Sequence, residues 1–167
     1  PGDPVRRGDT RATGDPLRGG ASRDGQVVGG SASVPASATA VILTVTALNA
    51  TSTTDVRVYP TPDTDVAPPQ VSNINLRPPG IVPNLVIAKV GRGGSVRLLN
   101  NAGSVDVLVD LAGWYEQADG ALFHVLAPER VMDTRLTSAA RVSSGEFRDL
   151  PLRGVAGVSS PAVAAVL

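Results

Sequence analysis

From Ser104 to Leu111 every second residue is aliphatic: Val105, Val107, Val109 and Leu111 fall on one side, Asp106 and Asp110 on the other. A period of two belongs to a strand with one buried and one wet face, and it excludes a helix over this stretch. The pattern recurs. Thr39–Leu48 sets Val41, Leu43, Val45 and Ala47 against Thr44 and Thr46, with Ile42 as the exception, and Thr54–Tyr59 sets Val56 and Val58 against Arg57 and Tyr59. Shorter candidate strands are Gln26–Val28, Val71–Leu76, Asn84–Val90, Ser95–Leu99, Ala121–Val125, Arg130–Asp133 and Glu146–Leu152. No stretch of ten residues carries a helical apolar stripe, and Ala36–Ala47 is too rich in β-branched residues to be read as one.

Turn residues separate these runs. Gly and Pro number 18 and 14, about a fifth of the 167 residues. That share is below the roughly 25–30% of aperiodic low-complexity chains, and with 42% hydrophobic residues a packed core is within reach. Arg92-Gly93-Gly94 and Asn100-Asn101-Ala102-Gly103 have hairpin length, while Thr61–Pro69 and Arg77–Pro83 are longer loops. Many short strands with turn signals between them predict an all-β chain, an antiparallel, jelly-roll-like β-sandwich.

The chain also repeats itself. Pro4-Val5-Arg6-Arg7-Gly8-Asp9-Thr10-Arg11 returns 124 positions later as Pro128-Glu129-Arg130-Val131-Met132-Asp133-Thr134-Arg135, both reading P-x-R-x-x-D-T-R. Val34-Pro35-Ala36 and the apolar run after it are echoed by Ser160-Pro161-Ala162. The parse is one complete repeat over 1–117 and the first part of another over 118–167. Arg7 and Gly8 stand where the second copy has Val131 and Met132, so the lead segment 1–38 reads as degenerate. The second segment is therefore expected to complete the sheet of residues 39–117, in its own chain or in a neighbour by strand donation.

These motifs, with Ser72-Asn73-Ile74-Asn75-Leu76, Pro83-Asn84-Leu85-Val86 and Ala102-Gly103-Ser104-Val105-Asp106-Val107-Leu108-Val109-Asp110-Leu111-Ala112-Gly113-Trp114-Tyr115, resemble the tandem module of secreted and cell-wall-associated actinobacterial proteins. The resemblance covers nearly the whole chain. It implies an extracellular, non-catalytic, all-β module, at times beside a peptidoglycan hydrolase. It implies no defined ligand.

Composition narrows the chemistry. Fifteen basic residues balance fifteen acidic ones without a long run of either sign, so no nucleic-acid footprint is expected. No apolar run reaches membrane-spanning length, and the start at Pro1 reads as a processed or excised soluble piece. There is no Cys, which removes disulfides and thiolate chemistry. One His and three Glu leave little acid–base repertoire, and the reading is of no enzyme. The basic residues are 14 Arg and the single Lys89, a usage that points to a high-GC genome.

Each candidate site has a plainer structural role beside its functional one. Arg6, Asp9 and Arg11, and their copies Arg130, Asp133 and Arg135, are read as a structural brace, because a set present in each repeat holds the repeat together. Arg7-Gly8-Asp9, an integrin-type tripeptide, falls inside that motif and is read as coincidence. Asp55, Asp63, Asp65, Asp106 and Asp110 are oxygen ligands of the kind Ca²⁺ takes, although solvated turn and strand aspartates are the default and no cofactor is required. Trp114, Tyr115 and Tyr59 are the candidate contacts for a cell-wall glycan. His124 has no ligand cluster near it in sequence. The expected role is a structural or adhesive module at the cell surface, partnered by neighbouring repeats or identical subunits; the alternative is a carbohydrate-binding module.

Overall fold

The computed structural model describes residues 4–117, 130–135 and 141–162. The chain divides into two units, Pro1–Gly120 and Ala121–Leu167. The described residues of the first form nine strands: β1 Val5–Asp9, β2 Leu17–Arg18, β3 Ser22–Gln26, β4 Ala40–Leu48, β5 Thr54–Pro60, β6 Ile74–Leu76, β7 Val82–Lys89, β8 Ser95–Asn100 and β9 Ser104–Tyr115, with one α-helical turn, α1, at Thr10–Thr13 and a 3-10 turn at Arg92–Gly94. It is an all-β, antiparallel sandwich. One sheet runs β1-β9-β4-β7, with β2 also on β9; the other runs β3-β8-β5-β6.

The alternation in the sequence becomes the division between core and surface. Val41, Leu43, Val45 and Ala47 of β4 are fully buried, and Val105, Val107, Val109 and Leu111 of β9 lie beside them. From the other sheet, Val56, Ile74, Leu76, Val96 and Leu98 close onto the same core. At about 25 cal/mol per Å² of apolar surface, such interlocking aliphatic rows are the main stabilising contribution available to a chain with few aromatics. A register shift between Ile42 and Leu43 opposite β9 leaves Ala112 unpaired. That bulge changes which side chains after Ala112 in β9 face outward.

The two short connections expected as hairpins are not hairpins. β7 belongs to the first sheet, β8 to the second and β9 to the first again, so Arg92–Gly94 and Asn101–Gly103 each cross between layers. Both sides of β8 are taken, by β3 and β5, and β9 lies between β4 and the lead strands, which leaves no room for sequential pairing. Loop length alone does not reveal this, because a hairpin requires that the two flanking strands be each other's neighbours.

Other boundaries shift as well. The strand expected at Gln26–Val28 is Ser22–Gln26, because the amides of Val27 and Val28 both donate to Gly94 O. The strand expected at Val71–Leu76 is β6, the partner of β5, and begins only at Ile74, while β7 starts earlier than expected, at Val82. The lead segment supplies β1, β2 and β3, and it occupies the edges beside β9 and β8 within its own unit. In β1 the register slips between Arg6 and Gly8, so Arg7 is the extra residue and Gly8 lies opposite Val109.

In the second unit, residues 130–133 and 146–152 form no strand; the described residues there are turns and extended segments. Strands need a partner to satisfy their backbone, and the described residues of this unit contain no counterpart of β8 or β9. Residues 121–125, the remaining expected strand, lie outside the described residues.

Candidate functional site

The repeated motif builds a clasp between the first and last strands of the unit. Arg6 forks onto Asp110, Nε to Oδ1 at 2.5 Å and Nη2 to Oδ2 at 3.0 Å, and its Nη1 donates to Asp9 Oδ2 at 3.0 Å. Asp9 also caps α1: its Oδ1 accepts from the Arg11 amide at 3.0 Å, while Arg11 wraps back with Nε and Nη2 onto the same carboxylate at 2.9 and 2.7 Å. The Arg11 and Arg6 guanidiniums hold the Asp9 carboxyl well below its usual range. Gly14, in the left-handed region, ends the turn and returns the chain to β2.

Thr10 has a separate task. β1 pairs with residues 108–111 of β9 and β2 with residues 104–105, which leaves a gap in the ladder. The Thr10 hydroxyl fills it, accepting from the Val107 amide at 3.0 Å and donating to Asp106 Oδ1 at 2.6 Å. Asp106 Oδ2 accepts in turn from Asn49 Nδ2 at 2.9 Å. The two outward aspartates of β9 are thus each matched to one residue of the P-x-R-x-x-D-T-R motif: Asp110 to Arg6 and Asp106 to Thr10.

The second copy repeats the local geometry. Asp133 accepts from the Arg135 amide at 3.0 Å and from its guanidinium at 2.9 and 2.6 Å, and Arg130 Nη1 reaches Asp133 Oδ2 at 2.8 Å. The Asp133 carboxyl is lowered, first by the Arg135 side chain and then by its amide. Arg130 stays largely exposed, at 65%.

A residue quoted in the sequence only as part of a turn proves central. Asn100 is completely buried where β8 crosses to β9. Its Nδ2 donates to Leu17 O, with Ala102 O and Gly103 O also in reach, and its Oδ1 accepts from Thr54 Oγ1 at 2.6 Å. Thr54 Oγ1 accepts from the Ala102 amide at 2.9 Å. A single amide therefore ties β2, β5 and the crossing together, and nothing local in the sequence sets it apart from a turn asparagine.

The aromatic candidates do not converge. Trp114 pairs with Val41 and so lies on the inward-facing side of β9, near the strand's C-terminal end and 39% exposed. Tyr115 pairs with Ala40 on the outer side of the first sheet, and Tyr59, opposite Arg97, is on the outer side of the second. The aspartates are likewise dispersed. Asp55 is bound by Arg57 at 2.8 Å, whereas Asp63 and Asp65 line an open polar groove with Arg92 and Arg97. Among the described residues, no three carboxylate, imidazole or thiol side chains are grouped to hold a metal ion. His124 lies outside the described residues. The Arg7-Gly8-Asp9 tripeptide is part of β1, with Arg7 bonded to Gln26 O and Asp9 enclosed by two arginines.

No family model matches the chain, and neither a characterised protein nor a solved structure matches it. Among the described residues no helix is long and apolar enough to cross a membrane.

Proposed function

We propose that the chain is a non-catalytic structural or adhesive repeat module of a secreted or cell-surface protein, of the kind found in actinobacteria, assembling through its second lead segment. The observation that carries this reading is the D-T-R turn built twice: around Asp9, where it is clasped to β9, and around Asp133, where Arg130 is exposed with only Asp133 as its acidic partner among the described residues. Phe147 at 93%, Val142 at 48% and Met132 at 42% exposure leave apolar surface in the same unit uncovered. A β9-like strand from a neighbouring repeat or an identical subunit is the partner that would cover it.

Sedimentation velocity on the intact chain across a concentration series tests the assembly. Concentration-dependent oligomers that Arg130→Glu and Phe147→Asp abolish are expected. A monomer at every concentration, also when mixed with a tandem-repeat chain, overturns it. The exposure of Trp114 favours one second reading, a module that binds wall glycan. Retention on purified peptidoglycan, lost in Trp114→Ala or Tyr115→Ala, would select that reading instead.

A further inference from the structure

Where the open edges of the two sheets face each other, the sandwich of the first unit contains a cavity of about 180 Å³. Its floor is aliphatic, made by Val96 and Leu98 of β8 and by Val107 and Val109 of β9. Two glycines leave it empty: Gly8 on β1 and Gly25 on β3. Neither is required by the backbone or by crowding. Both lack the positive φ that favours glycine, and a Cβ at Gly8 would meet nothing closer than Val109 at 3.9 Å, one at Gly25 nothing closer than Leu98 at 3.7 Å.

The second copy differs at both places. Met132 stands 124 positions after Gly8, and Arg23-Asp24-Gly25 returns 125 positions on as Arg148-Asp149-Leu150. The alignment is supported by the left-handed glycines that follow at the same spacing, Gly29 and Gly154. Two side chains that would fill the space in one repeat are thus replaced by hydrogen in the other.

The mouth carries a cation. Arg7, the bulged residue of β1, reaches across to the opposite sheet, where its Nε and Nη2 donate to Gln26 O at 3.3 and 3.1 Å. Among the described residues no carboxylate bonds to it, although Asp9 nearby is already enclosed by Arg6 and Arg11. Arg23, also at the mouth, is bound to Asp15 at 2.5 Å.

We propose that this cavity binds an apolar monocarboxylate, with its hydrocarbon part between the sheets and its carboxylate on Arg7. An apolar cavity of about 150 Å³ accepts benzene, so a hydrocarbon part of about six to eight carbons fits. A carboxylate at a guanidinium with free N–H groups makes charge-assisted hydrogen bonds. This site is independent of the module role proposed above.

Titration of the intact chain with octanoate and, separately, octanol tests it, followed by methyl NMR and calorimetry. Octanoate is expected to shift the methyls of Val96, Leu98, Val107 and Val109 and to bind about tenfold more tightly than octanol. Gly25→Leu, the residue of the second copy, should abolish binding of both while the methyl spectrum stays dispersed. Arg7→Gln should remove only the preference for octanoate. Unmoved methyls at millimolar octanoate overturn the proposal, as does undiminished binding to a folded Gly25→Leu chain. Equal binding of octanol and octanoate overturns the role of Arg7, and the site would then accept neutral acyl ends.

Discussion

Thr10 and Val107 make a bond that a sheet ordinarily makes through its backbone: the threonine hydroxyl accepts from the valine amide at 3.0 Å, in the gap between β1 and β2. The same hydroxyl donates to Asp106. The helical turn that interrupts the edge of the sheet therefore leaves no amide of β9 unpaired at that point, and the threonine in D-T-R has a specific reason to be there.

Thr10→Val keeps the shape and removes both bonds, stranding the buried Val107 amide. The expected cost is about 1–3 kcal/mol in urea unfolding, because an unsatisfied buried donor loses its full desolvation term. Thr10→Ser should recover most of it. Equal stability of Thr10→Val and the parent would show that water or a shifted backbone satisfies the amide.

Asn100→Ala leaves Leu17 O and Thr54 Oγ1 without their buried partner at the β8–β9 crossing. A loss of about 3 kcal/mol is expected, larger than for substitution of any exposed turn asparagine such as Asn101. Hydrogen exchange should show the amides of Gly20 and Ala102 losing protection first, since both are bonded at this corner.

Asp9 and Asp24 have carboxyls lowered from an ordinary value of 3.8, Asp9 first by Arg11 and Asp24 first by Arg97. Below 3.8 the unfolded chain takes up protons at these sites while the folded chain does not, so stability falls as pH falls. The contribution is complete above that value and disappears as pH drops through the lowered folded values. Asp9→Asn and Asp24→Asn should each flatten the acid limb of stability against pH, leaving its slope between pH 6 and 8 unaltered.

Glycines in this fold are of two kinds, and alanine separates them. Gly8→Ala should stabilise by about 0.5–1 kcal/mol, because its conformation suits any residue and space is open beside Val109. Gly91→Ala would drive a Cβ into the Thr61 backbone, and Gly103→Ala would combine a φ of +59° with collision against Ser52. Both should be destabilised in thermal melts.

The central strands were legible because their environment is written in their own periodicity. β4 and β9 are buried on one face along most of their length, so alternate residues had to be aliphatic. β1 and β3 were not legible. They are edge strands of Arg, Gly, Asp and Ser whose strand form comes from β9 and β8 through backbone bonds that carry no side-chain signature. The residue set Arg6, Asp9 and Arg11 was visible as a repeat. That Arg6 meets Asp110, 104 residues away, was not, because nothing local to either residue encodes the partner.

By itself the sequence determined an all-β chain, its central strands and their inward faces, a repeated D-T-R turn and a shortage of catalytic side chains. Each follows from local pattern or count. The tertiary structure alone decided which strands are neighbours, that the short connections cross between layers, that Asn100 is a buried tie, and that Gly8 and Gly25 face a common cavity. These depend on contacts between residues far apart in the chain, and such contacts are fixed by how two sheets pack rather than by what either strand prefers.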